Sequence, residues 1–356
     1  MKYELVFVSG ADRHQRPYYK SSARHRAFNL AGYFRRRGYA TVIVSQHVFE
    51  EHYETFETAD LVSFHHPDIS ECMVRYLMNN KRKQILIADY DDLVFDVSSV
   101  ASNPAVLDRS EDITNISSYL ASKAEIGQMF DHRTASTVPL AEEASRIMGG
   151  ETTVIHNALD PAYLDMAKRI FELRDPTGVK FAFGHVSSSA SHNSDLTIIS
   201  SLIADYLNEF PSERMLLLGP VQIPSELEPF RDQIKRKEVQ SFYAIPSLLA
   251  QCRMVLRPLT SNKFSRCESS LEFFEAAAIG VSVAASPIPD IDRFESPLLH
   301  KCTNPQEWEA ALRAPVLKET RLEQEVKGLR AEGSLARQAS LWKSHFLETA
   351  THAKWE

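Results

Sequence analysis

One rhythm constrains this chain more than any other feature: short apolar runs closed by Gly, Ser, Asp or Asn alternate with amphipathic stretches. In the first half the runs are ELVFVSG (4–10), TVIVS (41–45), DLVSF (60–64), QILIAD (84–89) and TTVIHN (152–157). Helical periodicity falls between them: on 21–38, which has a Ser start and a Gly stop, on about 68–79, near 113–129, and on 138–148. Near-continuous apolar strands separated by helices predict a parallel sheet covered on both faces. After a linker with one helix (156–178) the rhythm restarts, with strands at 179–184, 214–219, 239–243, 253–259 and 281–286. Helices are expected near 194–209, at 245–251 and just before the strand at 281, and 336–355 reads as a terminal helix. The expectation is an α/β protein of two doubly wound, Rossmann-like domains in tandem. Ligands of such sheets bind outside the carboxyl ends of the strands, so the cleft between the domains is the expected site.

The 356 residues are too many for one ordinary core. The expected division is 1–160, 161–333 and a C-terminal helix, 334–356, that crosses back to the first domain. Hydrophobic content of 44% and charged content of 24% are those of a soluble globular protein. No apolar run is long enough to span a bilayer, and the N-terminal stretch lacks a signal-peptide core. Cys72, Cys252, Cys267 and Cys302 have no CxxC spacing, which argues against a zinc-cysteine site or a disulfide framework and for a reduced, cytoplasmic compartment. Charge is uneven: residues 1–40 hold nine Lys or Arg against Glu4 and Asp12, a balance of +7 in a chain whose total is -7. Such a basic segment suggests an anionic partner, either a phosphate-bearing substrate or an anionic membrane surface; nucleic acid is not expected. The plainer reading of Arg35, Arg36 and Arg37 is that they complement a helix C-terminus before Gly38.

Three clusters could carry chemistry. In CESSLEFFEAAAIG (267–280), steps of four and three residues place Glu268, Glu272 and Glu275 on one helical stripe. A solvated acidic face would explain two of them. Glu275, directly before the small residues AAAIG, suits a carboxylate that accepts ribose hydroxyls. Asp89, Asp91 and Asp92 follow the strand at 84–89, and His65 with His66 follows the strand at 60–64, so both groups face the expected cleft. A carboxylate or a near-neutral imidazole there could orient or deprotonate an acceptor hydroxyl. The alternatives are helix capping, or pairing of the acids with the basic residues of 13–26. The loop 9–26 is long for a strand-to-helix turn and rich in Arg, His and Tyr, as functional loops are.

Together, NKFSRCESSLEFFEAAAIGVSVAASPIPDI (262–291), ADYDDLVFD (88–96), STVPLAEEA (136–144), VIHNALD (154–160) and FGHVSSSASHNSDL (183–196) resemble a GT-B glycosyltransferase of the family-4-like group, over roughly 1–345. Members of that group build bacterial surface polysaccharides such as lipopolysaccharide and capsule. The resemblance implies that Glu275 holds the nucleotide ribose and that the amides of Ser269, Ser270 and Leu271 face phosphate or sugar. It implies that Gly184, His185, Val186 and Ser187 approach the nucleotide from the other side, with His192 and Asp195 extending that motif. Gly10, Arg24, Arg26, His65 and Asp89 would serve the acceptor, and Asp91, Asp92 or His66 the chemistry. No metal or other cofactor is implied, and retention of anomeric configuration is.

Two departures matter. Relatives with a Glu-x7-Glu pattern would have its first member at Cys267, and closer relatives carry lysines where this chain has Glu268 and Glu272. Lys263, Arg266 or Arg257 must then meet the diphosphate, or the donor differs, or catalysis is lost. The expected function is transfer of a sugar from a UDP, GDP, dTDP or CMP donor to a glycan or lipid-linked acceptor, with possible peripheral contact to an anionic membrane. A nucleotide-sugar 2-epimerase on the same fold and a non-catalytic scaffold or glycan-binding subunit are the other readings.

Overall fold

The computed structural model describes residues 4–10, 21–107, 111–175, 178–187, 193–238, 241–317 and 319–348. Two six-stranded sheets, parallel throughout, form the molecule. The first contains β1 (Leu5–Ser9), β2 (Thr41–Ser45), β3 (Leu61–His65), β4 (Ile85–Tyr90), β5 (His132–Ala135) and β6 (Thr152–Val154), in spatial order β2-β1-β3-β4-β5-β6. The second contains β7 (Phe181–Val186), β8 (Met215–Leu218), β9 (Ile234–Lys237), β10 (Cys252–Arg257), β11 (Ser282–Ala285) and β12 (Leu299–Lys301), in order β12-β11-β10-β7-β8-β9.

Residue alternation explains why these strands read as continuous apolar runs. Val6 and Val8 pack with Phe49, Phe64 and Tyr76 on one face of the first sheet, while Leu5 and Phe7 pack with Phe34 and Trp342 on the other. Strand order reverses between β1 and β3 in the first sheet and between β7 and β10 in the second. Crevices open at such reversals. At these two points the chain places Gly10, His65 and His66 on one side and Ser187 and Arg257 on the other.

Two expectations about elements are corrected, and strands outside the expected set appear. Of VQSFY (239–243), 239 and 240 lie outside the described residues and the rest is not strand, with turn at 242–244; the ladder partner of β8 is IKRK, with Lys235 and Arg236 exposed at the sheet edge. Charged edge strands resist pairing with other chains, and that role hides the apolar signature. β5 (HRTA) escapes pattern reading because Arg133 is buried in it, its guanidinium donating to Phe130 O at 2.7 Å near the end of the helix Ile113–Gln128. The expected 194–209 helix is two, Asn193–Thr197 and Ser200–Glu209.

The chain passes from the first sheet to the second near Leu159 and returns beside it. The Leu159 amide donates to Gly333 O (2.8 Å) and the Leu335 amide to Leu159 O (2.9 Å), so the two crossings are stitched together. Beyond them the helix Leu335–Lys343 packs on the first sheet, Trp342 lying 5.7 Å from Phe7 and 5.2 Å from Phe34 between ring centroids.

Candidate active site between the two sheets

On the first-sheet side, Gly10 sits where a Cβ would fall 2.1 Å from His66 O, and its amide donates to His65 O at 2.7 Å. Only glycine fits that approach. His66 has φ +50°, a conformation rare outside glycine. Consecutive strand residues face opposite ways, but this left-handed turn brings the two imidazoles together, ring centroids 4.1 Å apart with their planes at 29°. His65 Nε2 lies 3.0 Å and His66 Nε2 2.9 Å from Asp91 Oδ1. Buried Lys123 holds the turn by donating to His66 O (2.6 Å) and Pro67 O (3.1 Å).

The neighbouring carboxyls Asp91 and Asp92 are driven apart in protonation. Burial alone would raise Asp91, but the facing His65 and His66 hold it well below the usual carboxylate range. Burial, then the charges of Asp91 and Glu268, push Asp92 well above that range, against the pull of Arg257. Burial, reinforced by His65, lowers His66 to about 4, so it is neutral at physiological pH. Adjacent acids with opposed pKa shifts are the usual arrangement for dividing acid and base roles. Asp92 is half-buried, and its electrostatic partners Glu268 and Arg257 belong to the second sheet's side.

Arg26 and Asp89 do not serve this cleft as expected. Arg26 Nε donates to Asp89 Oδ2 (3.0 Å) and Nη2 to Oδ1 (2.5 Å), while Nη1 donates to Ile155 O and to Asn157 Oδ1. Thr134 adds a hydrogen bond to Asp89 Oδ1. Both residues are buried, and breaking such a pair would strand a charge. They tie the 24–28 segment to β4 and to the chain after β6. Arg24 lies in the interface, its guanidinium 4.7 Å from the Phe242 ring centroid and 5.4 Å from that of Tyr243. Residues 11–20 of the expected acceptor loop lie outside the described residues.

On the second-sheet side, Glu268 is not on the helix of its expected partners. Asn262 caps a one-turn helix, Lys263–Arg266, and a new helix, Leu271–Ala277, starts after Ser270. The break arises because Asp290 Oδ2 accepts both the Ser270 amide (2.8 Å) and its hydroxyl (2.7 Å). That amide is therefore not aimed at a phosphate. Leu271 is buried in the core, and Ser269 Oγ accepts from Asn157 Nδ2 at 3.2 Å. Glu268 and Glu272 nonetheless converge, both pairing with Arg257, Glu268 Oε2 at 3.3 Å from Nη2.

Of the other two cations assigned to phosphate, Lys263 donates to Asp96 (2.5 Å) and pairs with Glu143 (2.9 Å), both on the first-sheet side. Arg266 is exposed and without an ion pair among the described residues. Gly184 and His185 lie inside β7 rather than in a loop. A Cβ at Gly184 would meet Cys252 Sγ at 2.8 Å, so packing explains that glycine. The Ser187 amide donates to Leu218 O, Asp195 Oδ1 accepts from the Thr260 amide and hydroxyl, and His192 lies outside the described residues.

Glu275 faces the first sheet's elements. Burial, then Glu272, raise its carboxyl to about 8, opposed by Arg257. His25 Nε2 stands 3.8 Å from Glu275 Oε1, while its Nδ1 donates to Ala158 O at 3.4 Å. Burial lowers His25 to about 4. It is thus neutral, and its Nε2 lone pair has no hydrogen-bond partner. His185 is alike: Nδ1 donates to Leu256 O at 3.0 Å, and buried Nε2 is unpartnered. Two buried acceptors of this kind suit hydroxyl donors of a ligand. His25 was missed in the sequence because it sits between two arginines that dominate the charge pattern. Phe242 was missed because its run resembles a strand.

No protein-family model matches the chain, and no curated protein does. Solved structures do. HepE from Anabaena, in complex with UDP-glucose, is 14% identical with a TM-score of 0.61, over 98% of this chain and 99% of that one. Sucrose-phosphate synthase from Thermosynechococcus elongatus is 11% identical with a TM-score of 0.62 over 98% and 100%. A trehalose 6-phosphate synthase from Burkholderia multivorans is 11% identical with a TM-score of 0.56 over 99% and 100%. The fold they share with this chain is GT-B, two Rossmann-like domains facing across a cleft.

Proposed function

We propose that this GT-B protein is a glycosyltransferase that takes a nucleotide-activated sugar in the cleft and moves the glycosyl group to a hydroxyl of a glycan or lipid-linked acceptor. The observation that carries the reading is the meeting of Glu275 with the free His25 Nε2 across the cleft, a hydroxyl-binding pair drawn from both bodies. HepE, of the same fold, binds UDP-glucose. In this reading Glu275 receives the ribose hydroxyls. Asp92 supports the acceptor hydroxyl, because a carboxyl with a raised pKa transfers protons more effectively near neutrality. Asp91, pinned by two imidazoles, holds the loop in place. Retention of configuration and a role in bacterial surface polysaccharide synthesis follow only from the sequence resemblance.

A second reading, a non-catalytic GT-B scaffold, is favoured by one observation: Arg257 and Lys263 are each already held by two carboxylates. Calorimetry against UDP, GDP, dTDP and CMP and their sugars separates the two. Binding of at least one nucleotide is expected, weakened in Glu275→Ala by about 1 kcal/mol or more, since Glu275 is largely protonated near neutrality, an uncharged hydrogen bond is worth ~0.5–1.5 kcal/mol, and the bonds to two ribose hydroxyls would be lost. Unchanged affinity would remove the Glu275 assignment, and no binding at all would leave the scaffold.

A further inference from the structure

We propose that His65, His66 and Asp91 form a binding site for one divalent transition-metal ion of the zinc class, ligated by His65 Nε2, His66 Nε2 and Asp91 Oδ1. This inference does not rest on the glycosyl-transfer reading, and it departs from the expectation of a metal-free cleft. The three donor atoms all lie within 4.8 Å of one another, and the carboxylate oxygen is 3.0 Å from one nitrogen and 2.9 Å from the other. These two separations suit near-right-angle ligation about a centre about 2.0–2.2 Å from each atom, the usual range for zinc with His and carboxylate ligands, and are shorter than the roughly 3.3–3.6 Å edge of a tetrahedron of that size.

Three features point to a cation. Both imidazoles converge on a single oxygen instead of dividing between the two oxygens of the carboxylate, so the three atoms surround a point. The arrangement also depends on the unfavourable φ of +50° at His66, held by close packing against Gly10 and by Lys123. Strain of this kind is kept where the surrounding structure enforces a functional geometry. In addition, His66 Nε2 is turned toward Asp91, 3.4 Å from its amide nitrogen and 2.9 Å from Oδ1, so the ring edge faces the same point as the carboxylate.

The donor set selects the ion. Two imidazoles and one carboxylate suit zinc, cobalt, iron or nickel far better than magnesium or calcium, which take oxygen ligands. All three residues are buried, at 1%, 5% and 8% relative exposure, and they sit beside Asp92 at the carboxyl ends of β3 and β4. Three protein ligands leave a coordination position for water or a ligand hydroxyl.

The test uses the full chain, purified without chelator and then stripped. Titration with Co²⁺ should give one equivalent with the visible bands of low-symmetry four- or five-coordinate cobalt. Zn²⁺ should displace the cobalt and raise the thermal midpoint. His65→Gln and Asp91→Asn should each weaken binding at least about tenfold, because losing a direct ligand costs no less than losing an outer-shell partner. His47→Gln, at an exposed surface site, should not weaken it. X-ray absorption on the zinc-loaded wild type should show two imidazoles, a readout that stands even if a variant fails to fold. Failure to bind one equivalent, affinity unchanged in both variants, or fewer than two imidazoles around the zinc would each overturn the site. Loss of nucleotide binding alone would not.

Discussion

At the scale of single residues, the cleft is set by burial acting on titratable groups. Glu275, with a folded-state pKa of about 8 against 4.5 in a free chain, favours folding fully at low pH, and that contribution is lost as pH rises toward 8. His25 and His66, lowered from 6.5 to about 4, act in the opposite sense: their contribution is present above 6.5 and lost as pH falls. The chain should therefore be most stable near the middle of that window. Urea midpoints from about pH 5 to 8 should show Glu275→Gln losing less stability than wild type, by up to about 1.4 kcal/mol per pH unit. Parallel curves would mean that Glu275 is solvated. The sequence placed His65, His66, Asp91 and Asp92 at strand ends facing the expected cleft and Glu275 near a helix end, because strand ends and helix ends are local features. It could not separate Asp91 from Asp92, since their opposed shifts depend on which neighbour faces imidazole and which faces Glu268.

At the scale of elements, periodicity located most of the chain, and its failures have physical causes. β5 carries a buried arginine and β9 a charged edge, so neither shows the apolar alternation of a strand. The aromatic run around Phe242 does show it, yet it serves the interface, where Phe242 lies 5.5 Å from His25 and 5.2 Å from Tyr163 between ring centroids. Glu268 was placed on the wrong helix because Asp290, distant in sequence, ends the preceding turn. The terminal helix gives a direct test of packing. Trp342 is 1% exposed between Phe7 and Phe34, and Trp342→Ala should destabilise the first body by about 3–5 kcal/mol. A loss below about 1 kcal/mol in chemical denaturation would show that the helix is only loosely docked.

At the scale of the whole molecule, the bodies are joined by the stitched crossings at Leu159 and Gly333–Leu335 and by polar contacts along the cleft. Lys263 is central to these, reaching Asp96 and Glu143, while Phe264 and Cys267 pack into the first core and Thr137 donates to Cys267 O at 2.9 Å. Lys263→Met should loosen this contact without unfolding either body, seen as faster hydrogen exchange over 262–267 and a larger radius by solution scattering. Exchange unchanged from wild type would show that the apolar contacts alone hold the cleft. From sequence alone came the two doubly wound units and the cleft between them, because strand and helix periods and their punctuation are carried by neighbouring residues. Which charges remain available to a ligand was decided only by the tertiary structure. Arg26, Lys263 and Arg257 are equally good phosphate ligands on paper, but each is held by carboxylates 63, 167 and 11 residues away. Pairing energy depends on distance in space and on burial, and neither is written in the local order of the chain.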